Sequence, residues 1–186
     1  MQTGDQERGI GRNIMFALLS AIIGIWSTSA FSQVTVKVND DRFAPFITYE
    51  TKPPVESGSI KLLVSKNTPY LTSSLSGSKD RKTGEIKIYA SLLVLHISRG
   101  ASRFSEGRTI TRSKLVVTNG KVDINCSHSP CSYSEIVLVS IPLSDARKTA
   151  GSKVDFEFKL FGENLSVEVS IPFLHFSSIL AEMEKR

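Results

Sequence analysis

Glu85-Ile-Lys-Ile-Tyr-Ala-Ser-Leu-Leu-Val-Leu-His-Ile-Ser98 is the stretch that decides the fold. Ile86, Ile88 and Ala90 alternate with Lys87, Tyr89 and Ser91, a period of two that gives a strand one apolar face. Residues 92–95 are then apolar on both faces, which predicts a central strand covered on each side. No glycine or proline interrupts the run.

The chain around it has the same character. Val34, Val36 and Val38 alternate with Thr35, Lys37 and Asn39, and residues 43–50 form a second run in which Pro45 suggests an edge or a bulge. A third lies at 60–65. Residues 67–84 are dominated by Ser, Thr, Gly and charge and read as loop, with a short strand at 70–75 at most. Residues 99–107 read as a polar loop. Asn119-Gly120 between 115–118 and 122–124 predicts a tight hairpin, because a type I′ turn needs positive φ at both central residues. Further strands are expected at 133–141, 154–161 and 165–171. Residues 143–150 suggest one or two helical turns, with Ser144 as cap and Gly151 as stop. Pro172 suits the first position of a last helix, whose Phe176, Ile179, Leu180 and Met183 make one apolar stripe. The expected fold is all-β and mainly antiparallel, a β-sandwich or partly open barrel with a short C-terminal helix.

An N-terminal signal peptide is expected ahead of this domain. Arg8 and Arg12 precede an apolar run at 14–26, and small residues, Ser27 to Ala30, follow. The run is too short to cross a bilayer core, which takes about 20 apolar residues. The domain reading is therefore a signal peptide at 1–32 and one β-rich domain at 33–186, exported to the periplasm or the cell exterior, with no transmembrane segment in the mature chain. The leader removes two charges of each sign, so the net charge of +5 survives. That balance favours an anionic envelope or glycan surface, or a protein, as partner. Nucleic acid is not expected, since no basic stretch is interleaved with aromatics.

Cys126-Ser-His128-Ser-Pro-Cys131 holds the chain's two cysteines. In an oxidising compartment they read as a disulfide, whose short loop limits its stabilisation to roughly 2 kcal/mol. The competing reading makes Cys126, His128 and Cys131 metal ligands, and it requires free thiols. No metal site or cofactor is expected on the disulfide reading.

Catalytic signals are thin. Ser76-Gly-Ser-Lys79 and Lys82-Thr-Gly84 match motifs of penicillin-binding enzymes, but only two residues separate them, so they cannot approach from separate elements. No nucleophile elbow, metalloprotease motif or phosphate loop is present. His96 and His175 read as packed residues. Glu135, Glu157 and Glu163 read as surface carboxylates, and no catalytic residue is assigned. The leading function is a non-enzymatic exported module that binds an envelope component or a protein. Its first candidate surfaces are the cysteine loop, with His128 and Tyr133, and the basic turn, with Lys79, Arg81 and Lys82. A small cell-wall or glycan hydrolase with carboxylates brought together by the fold is the alternative.

The leader and the disulfide are checked together by the intact mass of protein recovered from the exported fraction, alkylated before reduction. A chain starting at Gln33 or Phe31 with no alkylated cysteine is expected. A full-length mass with two alkylated cysteines contradicts both readings.

Overall fold

The computed structural model describes residues 33–57, 69–127 and 130–185. The expected leader, the run at 60–65 and His128 lie outside the described residues.

Ten strands and two helices occur among the described residues: β1 (Thr35–Asn39), β2 (Phe46–Lys52), β3 (Val55–Ser57), β4 (Tyr70–Asp80), β5 (Ile86–Ile97), β6 (Glu106–Thr109), β7 (Lys114–Asn125), β8 (Ser132–Ile141), α1 (Leu143–Ser152), β9 (Phe156–Phe161), β10 (Ser166–Ile171) and α2 (Phe173–Glu184). One antiparallel sheet runs β1-β2-β4-β5-β8-β7-β6-β9-β10. β2 pairs with residues 76–80 of β4, and β3 with residues 71–73 of the same strand. The sheet curls into a half-barrel that carries the C-terminal helix. It is thus all-β and mainly antiparallel, and of the two expected architectures it is the partly open barrel.

Alternation decides what lies inside. β5 turns Ile88, Ala90, Leu92, Val94 and His96 inward, and β8 turns Tyr133, Glu135, Val137, Val139 and Ile141 to the same side. α2 lays its stripe against this face, burying Phe176, Ile179, Leu180 and Met183. Each is worth roughly 1.5–3 kcal/mol in apolar surface removed from water. The Phe176 ring meets that of Phe156 on β9, centroids 5.6 Å apart. Gly77 on β4 lets the end of α2 come close, since a Cβ there would stand 2.8 Å from Met183 Cε. Lys79 Nζ then donates to the Met183 carbonyl at 3.2 Å.

Several expectations need correction. Residues 67–84 are not mainly loop: β4 is a central strand, in unbroken register with β5 from Tyr70↔Leu95 to Lys79↔Ile86. Two of its four buried positions, Ser73 and Gly77 beside Leu71 and Leu75, are small, which disguised the alternation. Asn119-Gly120 is not a hairpin turn. It lies within β7, where the register against β8 shifts between Asn119 and Val122, and Asn119 Nδ2 donates to the Phe104 carbonyl at 2.7 Å. The one extra residue on β7 forms a bulge, and the true β7–β8 connection is the cysteine loop. The outer side of β5 is also not covered by a second layer of described residues; Leu93 and Leu95 stay half-buried there beside exposed Ile136 and Leu138. Ser144 makes no capping bond, and Gly151 lies inside α1, which closes on the left-handed Lys153 at φ 56°. Pro172 stands one place earlier than expected, as the N-cap of α2.

The Thr51 hydroxyl replaces a rung of the ladder where β2 leaves β4. It accepts from Leu75 N at 3.1 Å and donates to Leu75 O at 3.2 Å. His175 Nδ1 on α2 lies 2.9 Å from the same oxygen, so with the hydroxyl proton committed to Leu75 O, Nδ1 is the donor. Burial lowers the His175 pKa below the ordinary imidazole value. The unfolded chain therefore binds a proton that the folded chain resists. Stability from this group is full above the unfolded pKa, near 6.5, and is lost as pH falls toward the lowered folded value. The melting temperature is expected to drop between pH 7.5 and 5.5, and His175→Gln to flatten that slope. Equal slopes for the two proteins would contradict the assignment.

Candidate functional site

The two surfaces expected from sequence lie at opposite ends of β5. Lys79 pairs with Ile86, and Ser132, next to Cys131, pairs with Ile97. Eleven residues of strand at about 3.3 Å each separate them by roughly 36 Å, so they do not form one site. Much of the basic turn is already engaged. Lys79 is bound to α2, and Arg81 donates from Nε to Ala44 O at 3.0 Å, from its terminal nitrogen to Asp41 O at 3.0 Å, and to the Asp40 carboxylate. Asp80 accepts the N–H groups of Thr83 and Lys82, each at 2.8 Å, and these bonds hold its carboxyl below the usual carboxylate range. Lys82 is exposed. Cys126 and Cys131 form the disulfide, which takes both sulfurs out of any ligand set. Tyr133 is buried, its ring stacked on His96 with centroids 5.3 Å apart.

That stack leads to a cluster sequence reasoning missed. Glu135, expected at the surface, is 1 % exposed. Its Oε1 accepts from Ser102 N at 2.5 Å and from His96 Nε2 at 2.6 Å, and its Oε2 accepts from Arg103 N at 3.1 Å. A carboxylate so far from water is tolerable only with such donors. Arg103 adopts φ 45° to bring its N–H to Oε2, a left-handed conformation that costs a non-glycine residue about 1 kcal/mol. The signal was present in the alternation: Glu135 and His96 stand at inward positions of their strands, diagonal neighbours across the β5–β8 register.

Ser102, His96 and Glu135 carry the chemistry of a nucleophile relay without its geometry. A relay needs serine and carboxylate on opposite ring nitrogens. Here the Ser102 hydroxyl, at 3.5 Å, and the carboxylate both approach Nε2, while Nδ1 meets no described partner. All three residues are at most 2 % exposed. The cluster instead fixes the 98–105 loop, and the loop fixes the last hairpin. Glu163 N donates to Ser102 O at 2.6 Å, and Asn164 Nδ2 donates to Ala101 O at 2.9 Å. A Cβ on Gly162 would stand 2.5 Å from Ser102 O, so only glycine permits this contact.

The positioned hairpin forms one wall of a cleft of about 620 Å³ between β3 and the β9–β10 pair. Glu56 and Ser57 face Arg108, Lys159, Glu157 and Glu168 across it. Lys159 Nζ bonds Glu168 at 3.1 Å, and Arg108 Nε bonds Glu106 at 2.6 Å. That bond lowers the Glu106 carboxyl and raises the Arg108 guanidinium. Tyr70 is raised by burial and by its contact with Glu56. The cleft is open and carries charged residues on both walls. Among the described residues no group of three metal-ligating side chains occurs. No family model, curated protein or solved structure matches this chain.

Glu135→Gln must turn an amide donor toward one of three donors. Breaking such a buried charged cluster costs about 3 kcal/mol, and a drop in melting temperature of roughly 10 °C is expected for a domain of this size. A variant within 2 °C of the parent would contradict the cluster's structural role.

Proposed function

We propose that this protein is an exported, non-catalytic binding module that holds an envelope component or a partner protein in the cleft between β3 and the β9–β10 hairpin. The observation that carries this reading is the cleft itself. It has a volume of about 620 Å³, it is bordered by β10 at the end of the sheet, and its hairpin wall is tied through the 98–105 loop to the buried Glu135 cluster. Export rests on the order of charge, apolar run and small residues in the leader.

The hydrolase alternative draws on the same place, since Glu56, Glu157 and Glu168 all line it. Two of these already have partners, Glu168 with Lys159 and Glu56 with Tyr70, an arrangement suited to holding a charged ligand in register. The reading is tested by cosedimentation of the exported protein with the envelope fraction of its host. Ser57 is exposed and lines this cleft and its smaller extension, so Ser57→Trp fills both without touching the core. The parent is expected in the pellet and Ser57→Trp in the supernatant, at equal melting temperatures. Equal sedimentation of the two, or glycan hydrolysis abolished by Glu157→Gln, would overturn the proposal.

A further inference from the structure

The antiparallel ladder of the last hairpin determines which backbone groups face the cleft. Gly162 N donates to Leu165 O at 2.9 Å, and the same register continues through Phe161↔Ser166 to Phe156↔Ile171. Hydrogen-bonded and non-bonded pairs alternate along an antiparallel ladder. Leu160–Val167, Phe158–Val169 and Phe156–Ile171 are therefore the bonded pairs. Ser166, Glu168 and Ser170 turn their N–H and C=O groups away from β9. Among the described residues, β10 pairs with β9 alone. Its sequence Ser-Val-Glu-Val-Ser-Ile contains none of the lysines, prolines or bulges that commonly protect an edge. This edge borders both concavities, with Glu168 and Ser170 lining the larger and Ser166 and Glu168 a second of about 210 Å³.

We infer that β10 accepts an extended peptide of a partner protein as an added strand, a reading that rests on the cleft being the binding site. Among the described residues no strand pairs with the three donors and three acceptors over Ser166 to Ser170, about 17 Å of strand at 3.4 Å per residue. Alternation then sets the preferred sequence. Peptide side chains on the inner side continue the row of buried Val167 and Val169 and should be apolar. Those on the outer side lie beside Ser166, Glu168 and Ser170. There Lys159 and Glu168 pair with each other and Arg108 is held by Glu106, so Glu56 and Glu157 leave the lining with excess negative charge. The central outward residue is therefore a lysine or arginine, giving an apolar–basic–apolar core. The chain itself carries this pattern at Val36-Lys37-Val38, Ile60-Lys61-Leu62, Ile86-Lys87-Ile88 and Phe158-Lys159-Leu160, and a capped peptide of residues 33–39 serves as the probe.

Binding is followed by amide chemical shifts of the full mature protein. The probe is expected to shift Ser166, Glu168 and Ser170 and to saturate. Ser170→Pro removes one edge donor without touching the β9 ladder, since this N–H points outward. It should weaken the probe at least tenfold while the melting temperature holds. Glu168→Lys should weaken it similarly, and a probe carrying Lys37→Glu should recover on that variant. Saturation that leaves the β10 amides unmoved, or equal affinity for Ser170→Pro, overturns the added strand. If Ser57→Trp still loses envelope binding, the module reading survives that failure. Self-association abolished by Ser170→Pro would make the occupant a second copy and overturn the assignment to a partner peptide.

Discussion

The rest of this structure depends on one buried carboxylate. Glu135 sits in the interior of a half-barrel, where an unpaired charge would be prohibitive, and it is tolerated because two backbone N–H groups and one imidazole converge on it. Satisfying it forces the 98–105 loop to fold inward, and Arg103 accepts a left-handed backbone as part of that arrangement. The loop carries Phe104 into the core, fully buried, and presents the carbonyls of Ala101 and Ser102 to the turn of the last hairpin. A polar requirement at the centre is thus transmitted to the position of β9 and β10.

The strands that alternate large apolar with polar residues were legible in the sequence. β5, β8, the last hairpin and the stripe of α2 follow directly from spacing. β4 was not, because its inward positions are partly Ser73 and Gly77, small residues that lack a large apolar side chain, and Gly77 admits the Met183 end of α2. Its serines mimic a loop composition. Asn119-Gly120 misled for the opposite reason: its local turn preference is real, but pairing with β8 on both sides absorbs it as a bulge. Tertiary pairing overrode local preference in both places.

The candidate site was less legible than the fold. Surface chemistry drew attention to Lys79, Arg81, Lys82 and Tyr133, yet three of the four are held by intramolecular contacts that sequence does not reveal. Glu135 and His96 could have been found as charged or titratable residues at inward positions of apolar strands. The cleft could not, because β3 and β10 meet across it from distant parts of the chain. An edge that no described strand pairs is likewise a property of the sheet and of no segment alone. The proposed function therefore rests on topology, with charge supplying its specificity.

The most direct test of the central claim is amide hydrogen exchange at Ser102 and Arg103. If their N–H groups are bound to the buried Glu135 carboxylate, both exchange only with global unfolding, at rates matching the core amides of β5 and β8. The amide of Glu163, bound to the Ser102 carbonyl, should slow with them. Exchange of Ser102 and Arg103 at the rate of an open surface loop would contradict the account, because the Glu135 cluster would then not be what fixes the turn of the last hairpin, and its pairing with β6 alone would hold it.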